Sequence, residues 1–255
     1  MSALEIHAFL CRKDNIGVLV HCEDGTTASI DAPDADAISA ALQEKGWSLS
    51  HILVTHHHGD HTAGNLELKA KTGCRIIGPQ TEAARIPGID VSVDDGDSFT
   101  LGAHRVEVIG TPGHTMGHVT YFMPGERVAF VGDTLFVMGC GRVLEGNNEM
   151  MWHSLCRIAS LPAETRLYCG HEYSLANARF GLSVEPDNAM LRNRLENAEQ
   201  TVAAGRLNVP TVLDCELQTN VFLRPHNLGT RRRLGMGAVA DWRVFGELRD
   251  RKNKA

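Results

Sequence analysis

The sequence predicts a mixed α/β fold that gives way to a mainly helical end. Three observations carry this prediction. Over the first two thirds of the 255 residues, short β-rich runs alternate with segments whose apolar residues recur every three or four positions. Each run is closed by Gly, Pro, Asp or a polar turn. Beyond about residue 173 the strand signals thin out and helical spacing takes over.

The strand-like runs are GVLVHC (17–22), TASIDA (27–32), HILVT (51–55), RIIG (75–78), HRVEVIG (104–110), HVTYFM (118–123) and RVAFVG (127–132). Between them DADAISAALQEK (34–45) predicts a helix, with Asp34 able to cap its start and Gly46 to end it. NEMMWHSLCRIA (148–159) predicts another, with Asn148 as its N-cap, and a further helix is expected to begin near Thr62. Residues 187–204 and 238–250 read as helices of the second part. No repeat, low-complexity tract or long linker separates the parts, so they are expected to pack closely.

With 43% apolar and 22% charged residues, the chain can bury one large core or two smaller ones, which excludes disorder. Its seven cysteines are odd in number, scattered and without a CxxC pair, which excludes a disulfide framework and a thiolate zinc site. No apolar run approaches the roughly 20 residues that cross a bilayer. The start, MSALEIHAFL, lacks a basic cluster and cleavage site, so a soluble, cytoplasmic protein is expected. The formal net charge of −6 argues against a general nucleic-acid binder, yet residues 224–255 hold nine basic side chains against three acidic ones. That tail is either a solvated basic surface or a wall that meets an anion.

Four of the thirteen histidines fall in THHHGDH, at His56, His57, His58 and His61. Composition alone would place about a third of one there. In a nearly extended chain His56 and His58 point to one side and His57 to the other, while the turn at Gly59 presents Asp60 and His61. Imidazole and carboxylate together suit zinc, iron or manganese better than calcium or magnesium. One turn cannot wrap an ion, so further ligands are sought at later strand ends. His114 in GTPGHTMGH, Asp133 in FVGDTLF and His171 in LYCGHEY each follow an apolar strand through a Gly.

The HxHxDH motif with the GHT, GDT and GHE turns resembles the metallo-β-lactamase superfamily, whose fold is an αβ/βα sandwich of two mixed β-sheets flanked by helices. GDTLF followed by GCGRVLEG, GHEYSLANARF, TNVFLRP and the basic LRDRKNK resembles, over nearly the whole chain, the glyoxalase II (hydroxyacylglutathione hydrolase) family. That resemblance implies a dinuclear metal domain over 1–172 and a helical glutathione-binding domain over 173–255. It implies two divalent metal ions, with zinc first and iron or manganese as alternatives. His56, His58 and His114 would hold one ion, and Asp60, His61 and His171 the other. Asp133 would bridge them, and Asp60 and Asp133 would carry the catalytic roles around a shared hydroxide.

The implied reaction is hydrolysis of S-D-lactoylglutathione to D-lactate and glutathione, the second step of methylglyoxal detoxification. Its implied substrate contacts are Arg142, Tyr173, Arg249 and Lys252, which suit the two carboxylates of glutathione. A glutathione thioester is then the partner of a monomeric enzyme, with neither nucleic acid nor membrane involved. His57 and His118 match no ligand position, Cys140 between two glycines reads as structural, and Arg231, Arg232 and Arg233 read as solvated. Leu144, Ile16 and Val221 depart from the residues usual in the family. The alternatives are a persulfide dioxygenase with one iron and a nuclease of the same superfamily.

Overall fold

The computed structural model describes residues 4–255, so the first three residues of the MSALEIHAFL segment lie outside it. Two six-stranded mixed sheets enclose the main core. The first contains β1 (Leu4–Leu10), β2 (Ile16–Cys22), β3 (Thr27–Ile30), β4 (His51–Leu53), β5 (Arg75–Pro79) and β6 (Val91–Val93) in that spatial order. Its first two pairings are antiparallel and the rest parallel. Two helices, α1 (Ala35–Lys45) and α3 (Asn65–Thr72), cover its outer face, with the single turn α2 (Gly59–Thr62) between them in sequence.

The period of two in a strand explains why these runs are apolar throughout. In β2, Ile16, Val18, Val20 and Cys22 join the core between the sheets, while Leu19 joins the layer under α1 and α3. The same split divides Leu53 from Ile52 and Ile77 from Ile76. Full burial of a side chain such as Leu19 contributes about 1.5–3 kcal/mol.

The second sheet contains β7 (Ser98–Leu101), β8 (His104–Gly110), β9 (Val119–Met123), β10 (Val128–Gly132), β13 (Arg166–Cys169) and β14 (Thr211–Val212), running from β7 at one edge to β14 at the other. A small hairpin of β11 (Leu135–Phe136) and β12 (Gly139–Cys140) follows β10, and α4 (Asn148–Ala159) precedes β13. Strands β8, β10 and β13 point the same way, so their C-terminal ends share one edge. The sheets meet there directly: Tyr121 Oη donates to the Val54 carbonyl at 2.8 Å, and the Val119 amide donates to the Thr55 carbonyl at 3.0 Å.

After residue 173 come α5 (Ser174–Val184), α6 (Ala189–Ala203), α7 (Leu213–Thr219), α8 (Leu228–Leu234) and α9 (Asp241–Asn253), with a 3₁₀ turn at Val221–Leu223. Phe180, Leu191, Phe222, Val244, Phe245 and Leu248 extend the core of the second sheet into this region, and α9 lies along α4.

Asp34 caps α1 by accepting from the Ala37 amide at 2.9 Å, and Gly46 ends it with φ 70°. Three local expectations are corrected. The N-cap of α4 is Asn147, whose backbone is extended and whose Oδ1 accepts from the Met150 amide; Asn148 is already helical. The helix expected near Thr62 is two pieces: the Gly64 amide donates to the Ala32 carbonyl at 2.9 Å and not to the preceding turn, and Gly64 packs closely on the α1 entrance, where a Cβ would lie 3.0 Å from the Ala35 amide nitrogen. Arg231 is not solvated. It donates to the carbonyls of Pro225, Gly237 and Val239 and pairs with Asp241, supplying donors to the loop that leads into α9.

Candidate metal centre

The fold brings all seven candidate ligands to the shared edge. β4 leads to His56, His58, Asp60 and His61, while the ends of β8, β10 and β13 lead to His114, Asp133 and His171. The sharp exit from β10 depends on Gly132, which has φ 46°; a Cβ there would meet His118 Nε2 at 2.6 Å and Thr55 Oγ1 at 2.7 Å.

The donors form two groups. His56, His58 and His114 converge in one, with His58 Nδ1 at 3.1 Å from His56 Nε2 and 3.0 Å from His114 Nε2. Asp60, His61 and His171 converge in the other, with 3.3 Å between the two Nε2 atoms and 3.4 Å from His171 Nε2 to Asp60 Oδ2. Asp133 lies between them. Its Oδ1 is 3.4 Å from His61 Nε2, and its Oδ2 is 3.5 Å from His114 Nε2 and 3.4 Å from His171 Nε2.

Four of the five rings, those of His56, His61, His114 and His171, are turned inward by a partner on the far nitrogen. Asp31 Oδ2 lies 2.8 Å from His61 Nδ1, and Asp14 Oδ1 lies 3.0 Å from His171 Nδ1. The Arg142 carbonyl accepts from His114 Nδ1 at 2.8 Å, and Thr55 Oγ1 is 3.0 Å from His56 Nδ1. Fixing the far nitrogen fixes tautomer and ring plane, and so aims the other nitrogen's lone pair. Asn15 steadies Asp60 through the carboxylate and the backbone carbonyl.

The electrostatics favour a cation. Burial opposes ionisation of Asp133, but His61 and His171 outweigh it and hold the carboxyl well below its usual range. The hydrogen bond from His171 does the same for Asp60. Conversely, burial disfavours charge on His171 and His61, yet the carboxylates prevail, pushing His171 up to about 10 and His61 well above the usual imidazole value. His56 and His58, where burial dominates, are pushed down and kept neutral. Asp133 Oδ1 is buried with no hydrogen-bond donor among the described residues. An orphaned buried carboxylate oxygen among five imidazoles is the donor chemistry of a divalent metal centre.

The centre opens into a cleft of about 410 Å³. The four residues expected to contact substrate all line it. Arg142 is exposed, and the Tyr173 ring stacks on His171 with centroids 5.0 Å apart. Burial, then the nearby carboxylates of Asp14, Asp133 and Asp60, push the Tyr173 phenol up to about 12. Arg249 is only 5% exposed; its Nη1 donates to the Cys140 carbonyl at 2.8 Å, and its guanidinium lies over the Phe222 ring. Lys252 Nζ donates to the Ala176 carbonyl at 2.8 Å. Leu144 lines the cleft and is half exposed, whereas Ile16 and Val221 are buried in the core.

Of the two remaining histidines of these motifs, His118 joins no donor group, while His57 comes together with His58 and Glu145 in a further, partly exposed cluster. His118 is buried, and its Nε2 accepts from the Asp133 amide at 3.0 Å. His57 turns away onto Glu82, as the alternation of an extended chain requires. Cys140 is buried, and desolvation pushes its thiol up to about 11, which removes its nucleophilic form near neutral pH. The sequence reading missed Asp31, Asp14, Asn15, Thr55 and Glu82. Thr55 is the neighbour of the ring it touches, but the other four are distant in sequence from their partners, and no local pattern marks them.

Two family models together span the chain from residue 24 to its end: the metallo-beta-lactamase superfamily over 24–171 and the hydroxyacylglutathione hydrolase C-terminus over 172–255. The hydroxyacylglutathione hydrolases of Brucella anthropi and Brucella ovis are each 51% identical over 251 residues. The alignment covers 98% of this chain in both cases, and 96% and 98% of the relatives. Among solved structures, ETHE1 from Myxococcus xanthus superposes with a TM-score of 0.70 at 24% identity, covering 98% of this chain and 91% of that one. The B3 metallo-beta-lactamase BLEG-1 gives 0.66 at 20% identity, covering 86% and 100%. These two structures share the fold, while the sequence relatives align over 98% of the chain and the C-terminal family model takes in its basic end. The chain belongs to the hydroxyacylglutathione hydrolase family of the metallo-beta-lactamase superfamily.

Proposed function

We propose that the chain hydrolyses S-D-lactoylglutathione to D-lactate and glutathione, as its family relatives' name implies, at a dinuclear zinc centre. The supporting observation is the placement of Asp133, whose two oxygens lie within 3.5 Å of imidazole nitrogens from both three-residue groups. In this reading His56, His58 and His114 hold one ion, Asp60, His61 and His171 hold the other, and Asp133 is shared. Divalent ions bound there supply Lewis acidity toward a thioester carbonyl and toward water.

The chain's own residues do the rest. Asp60 and Asp133 bring only two negative charges to the centre, so a loaded site remains net positive where an oxyanion develops. The leaving group is a thiol with a pKa of about 8.5, which departs as thiolate without a dedicated general acid. Tyr173, protonated at neutral pH, can donate to the substrate, and Arg142 and Lys252 offer cations to its carboxylates. Arg249 spends one donor on the Cys140 carbonyl and so positions the helix that carries Lys252.

Residues 1–172 then supply the ligands and 173–255 most of the substrate contacts, all from one chain, consistent with a monomer. Seven free cysteines fit a reducing cytoplasm. No described helix is long and apolar enough to cross a membrane. The test is elemental analysis of purified protein together with thioester turnover. Two zinc ions per chain and release of glutathione from S-D-lactoylglutathione are expected. One iron per chain, with oxygen uptake in place of hydrolysis, would favour the persulfide dioxygenase reading.

A further inference from the structure

One buried carboxylate outside the seven donors touches two of the loops that carry them. Glu82 lies in the 3₁₀ turn Gln80–Arg85 between β5 and β6 and is 3% exposed. Its Oε2 accepts from the His57 amide and from His57 Nδ1, both at 2.7 Å. Its Oε1 accepts from the Gly117 amide at 2.8 Å. His57 is flanked by His56 and His58, and Gly117 follows His114 by three residues.

Gly117 is shaped for this contact. A Cβ there would come within 2.4 Å of Thr81 Oγ1 and 2.6 Å of Glu82 Cγ, so the backbone approaches the carboxylate only because no side chain intervenes. Hydrogen bonds from N–H groups to a buried carboxylate are the strong, short kind, and here three meet on one residue. The other donor group is held by different anchors, Asp31 on His61 and Asp14 on His171.

We propose that Glu82 is a positioning residue that clamps the THHHGDH loop to the GTPGHTMGH loop and thereby sets the geometry of the His56, His58 and His114 group alone. The proposal rests on the reading of that group as one of two metal subsites. Without Glu82 the loops stay joined by the Val119 amide on the Thr55 carbonyl and by Glu145, which accepts from the Met116 amide and lies 3.6 Å from His57 Nε2. They loosen around residues 114–117, however, so His114 Nε2 drifts from its 3.0 Å approach to His58 Nδ1. Affinity at that subsite falls while the Asp60, His61 and His171 subsite keeps its own anchors. Loss of such an outer partner costs about 10- to 100-fold in metal affinity.

The test uses the full metal-free chain titrated with Zn²⁺ against a chromophoric chelator, for wild type, Glu82→Gln, Glu82→Asp and Gly117→Ala. Glu82→Gln and Gly117→Ala should each weaken one binding step about 10- to 100-fold and leave the other within threefold, with Glu82→Asp intermediate. Glu216→Gln, which disturbs an equally buried carboxylate among Arg194, Thr211 and Asn220, controls for general loss of stability and should change neither step. Hydrogen exchange of the metal-free chain gives a readout independent of any ion. The segment 111–118 should exchange at least tenfold faster in Glu82→Gln, with 166–172 unchanged.

Equal weakening of both steps, wild-type binding in both principal variants, or unchanged exchange at 111–118 would overturn the proposal. Wild-type chain that binds a single ion would instead sink the dinuclear reading, while the exchange result still decides the role of Glu82.

Discussion

Asp31 holds His61 from a strained position: its Oδ2 lies 2.8 Å from His61 Nδ1 while its own backbone is left-handed at φ 57°. The same carboxylate accepts from the Thr55 amide at 2.7 Å and from Thr55 Oγ1 at 2.8 Å, so it joins the end of β3 to the start of the histidine loop. A non-Gly residue at positive φ is tolerated where such contacts over-determine it. Asp31→Asn keeps the shape but loses the charge that three donors share, at a cost of about 1.5–3 kcal/mol for a charge-assisted bond. The expected result is a Tm several degrees lower and about 10- to 100-fold weaker metal binding at the His61 subsite. Calorimetry and chelator competition check it; an unchanged affinity would mean that Asp31 serves the fold alone.

Asp133 should be the most sensitive of the seven donors, because its two oxygens face imidazole nitrogens of both groups. Asp133→Ala removes the only carboxylate common to them and leaves His61 and His171 without their strongest stabilising charge. Fewer than two ions per chain and at least about a hundredfold lower turnover are expected, more than the loss of an outer partner costs, because a shared donor itself is removed. Near-normal turnover with two ions retained would refute the shared position.

Arg249 and Lys252 lie three residues apart on α9 and both line the cleft, yet their surroundings separate them. Arg249 is buried on Phe222 and the Cys140 carbonyl, so Arg249→Ala should cost about 1.5–3 kcal/mol of stability as well as raising KM. Lys252 donates to the Ala176 carbonyl and lies over the Phe180 ring at 5.5 Å, a lighter hold than that on Arg249, and Lys252→Ala should raise KM several-fold with a smaller change in Tm. Neither variant should alter metal content, since protonated cations cannot ligate. Equal KM in wild type and Lys252→Ala would return the basic end to the role of a plain surface.

The β-rich runs and the strand-end turns were legible because each is a local pattern: an apolar stretch, a Gly, then His or Asp. The gathering of His56 with His114 was legible only through family resemblance, since they lie 58 positions apart and no periodicity links them. Asp31, Asp14 and Glu82 were invisible for the same reason in stronger form. Each is a single acidic residue between elements, and its partner is fixed by how neighbouring strand ends, or the two sheets, come together. The reading of Arg231 as solvated failed because a sequence does not reveal which loop carbonyls lack donors.

Thiol reactivity offers an independent check of burial. Cys11, Cys22 and Cys140 are pushed up to about 11 and Cys169 to about 12, chiefly by desolvation, so all four remain neutral thiols below pH 10. Cys215 is exposed. Native protein treated with a disulfide reagent at pH 8 should therefore react promptly at Cys215, more slowly at the partly exposed Cys156, and at the five buried thiols only after denaturation. Prompt modification of Cys140, or loss of turnover in Cys140→Ala, would contradict its structural role.

Gly170 provides a steric probe of the centre that touches no ligand's chemistry. It stands between β13 and His171, and a Cβ there would lie 2.4 Å from Asp133 Oδ1 and 2.8 Å from His61 Cε1. Its φ lies outside the left-handed region, so alanine meets no backbone penalty and any effect must come from displaced neighbours. Gly46 is the converse case: φ is 70° and a Cβ would meet nothing within 4 Å. Gly46→Ala should therefore cost about 1 kcal/mol of stability through backbone strain and leave metal content and turnover intact. Gly170→Ala should do the opposite. It forces Asp133 away from the position where its two oxygens face both donor groups, so metal content and turnover fall together while Tm of the metal-free chain moves little. Full metal occupancy in Gly170→Ala would show that the centre can accommodate a displaced Asp133, and that its close packing against Gly170 is incidental to binding.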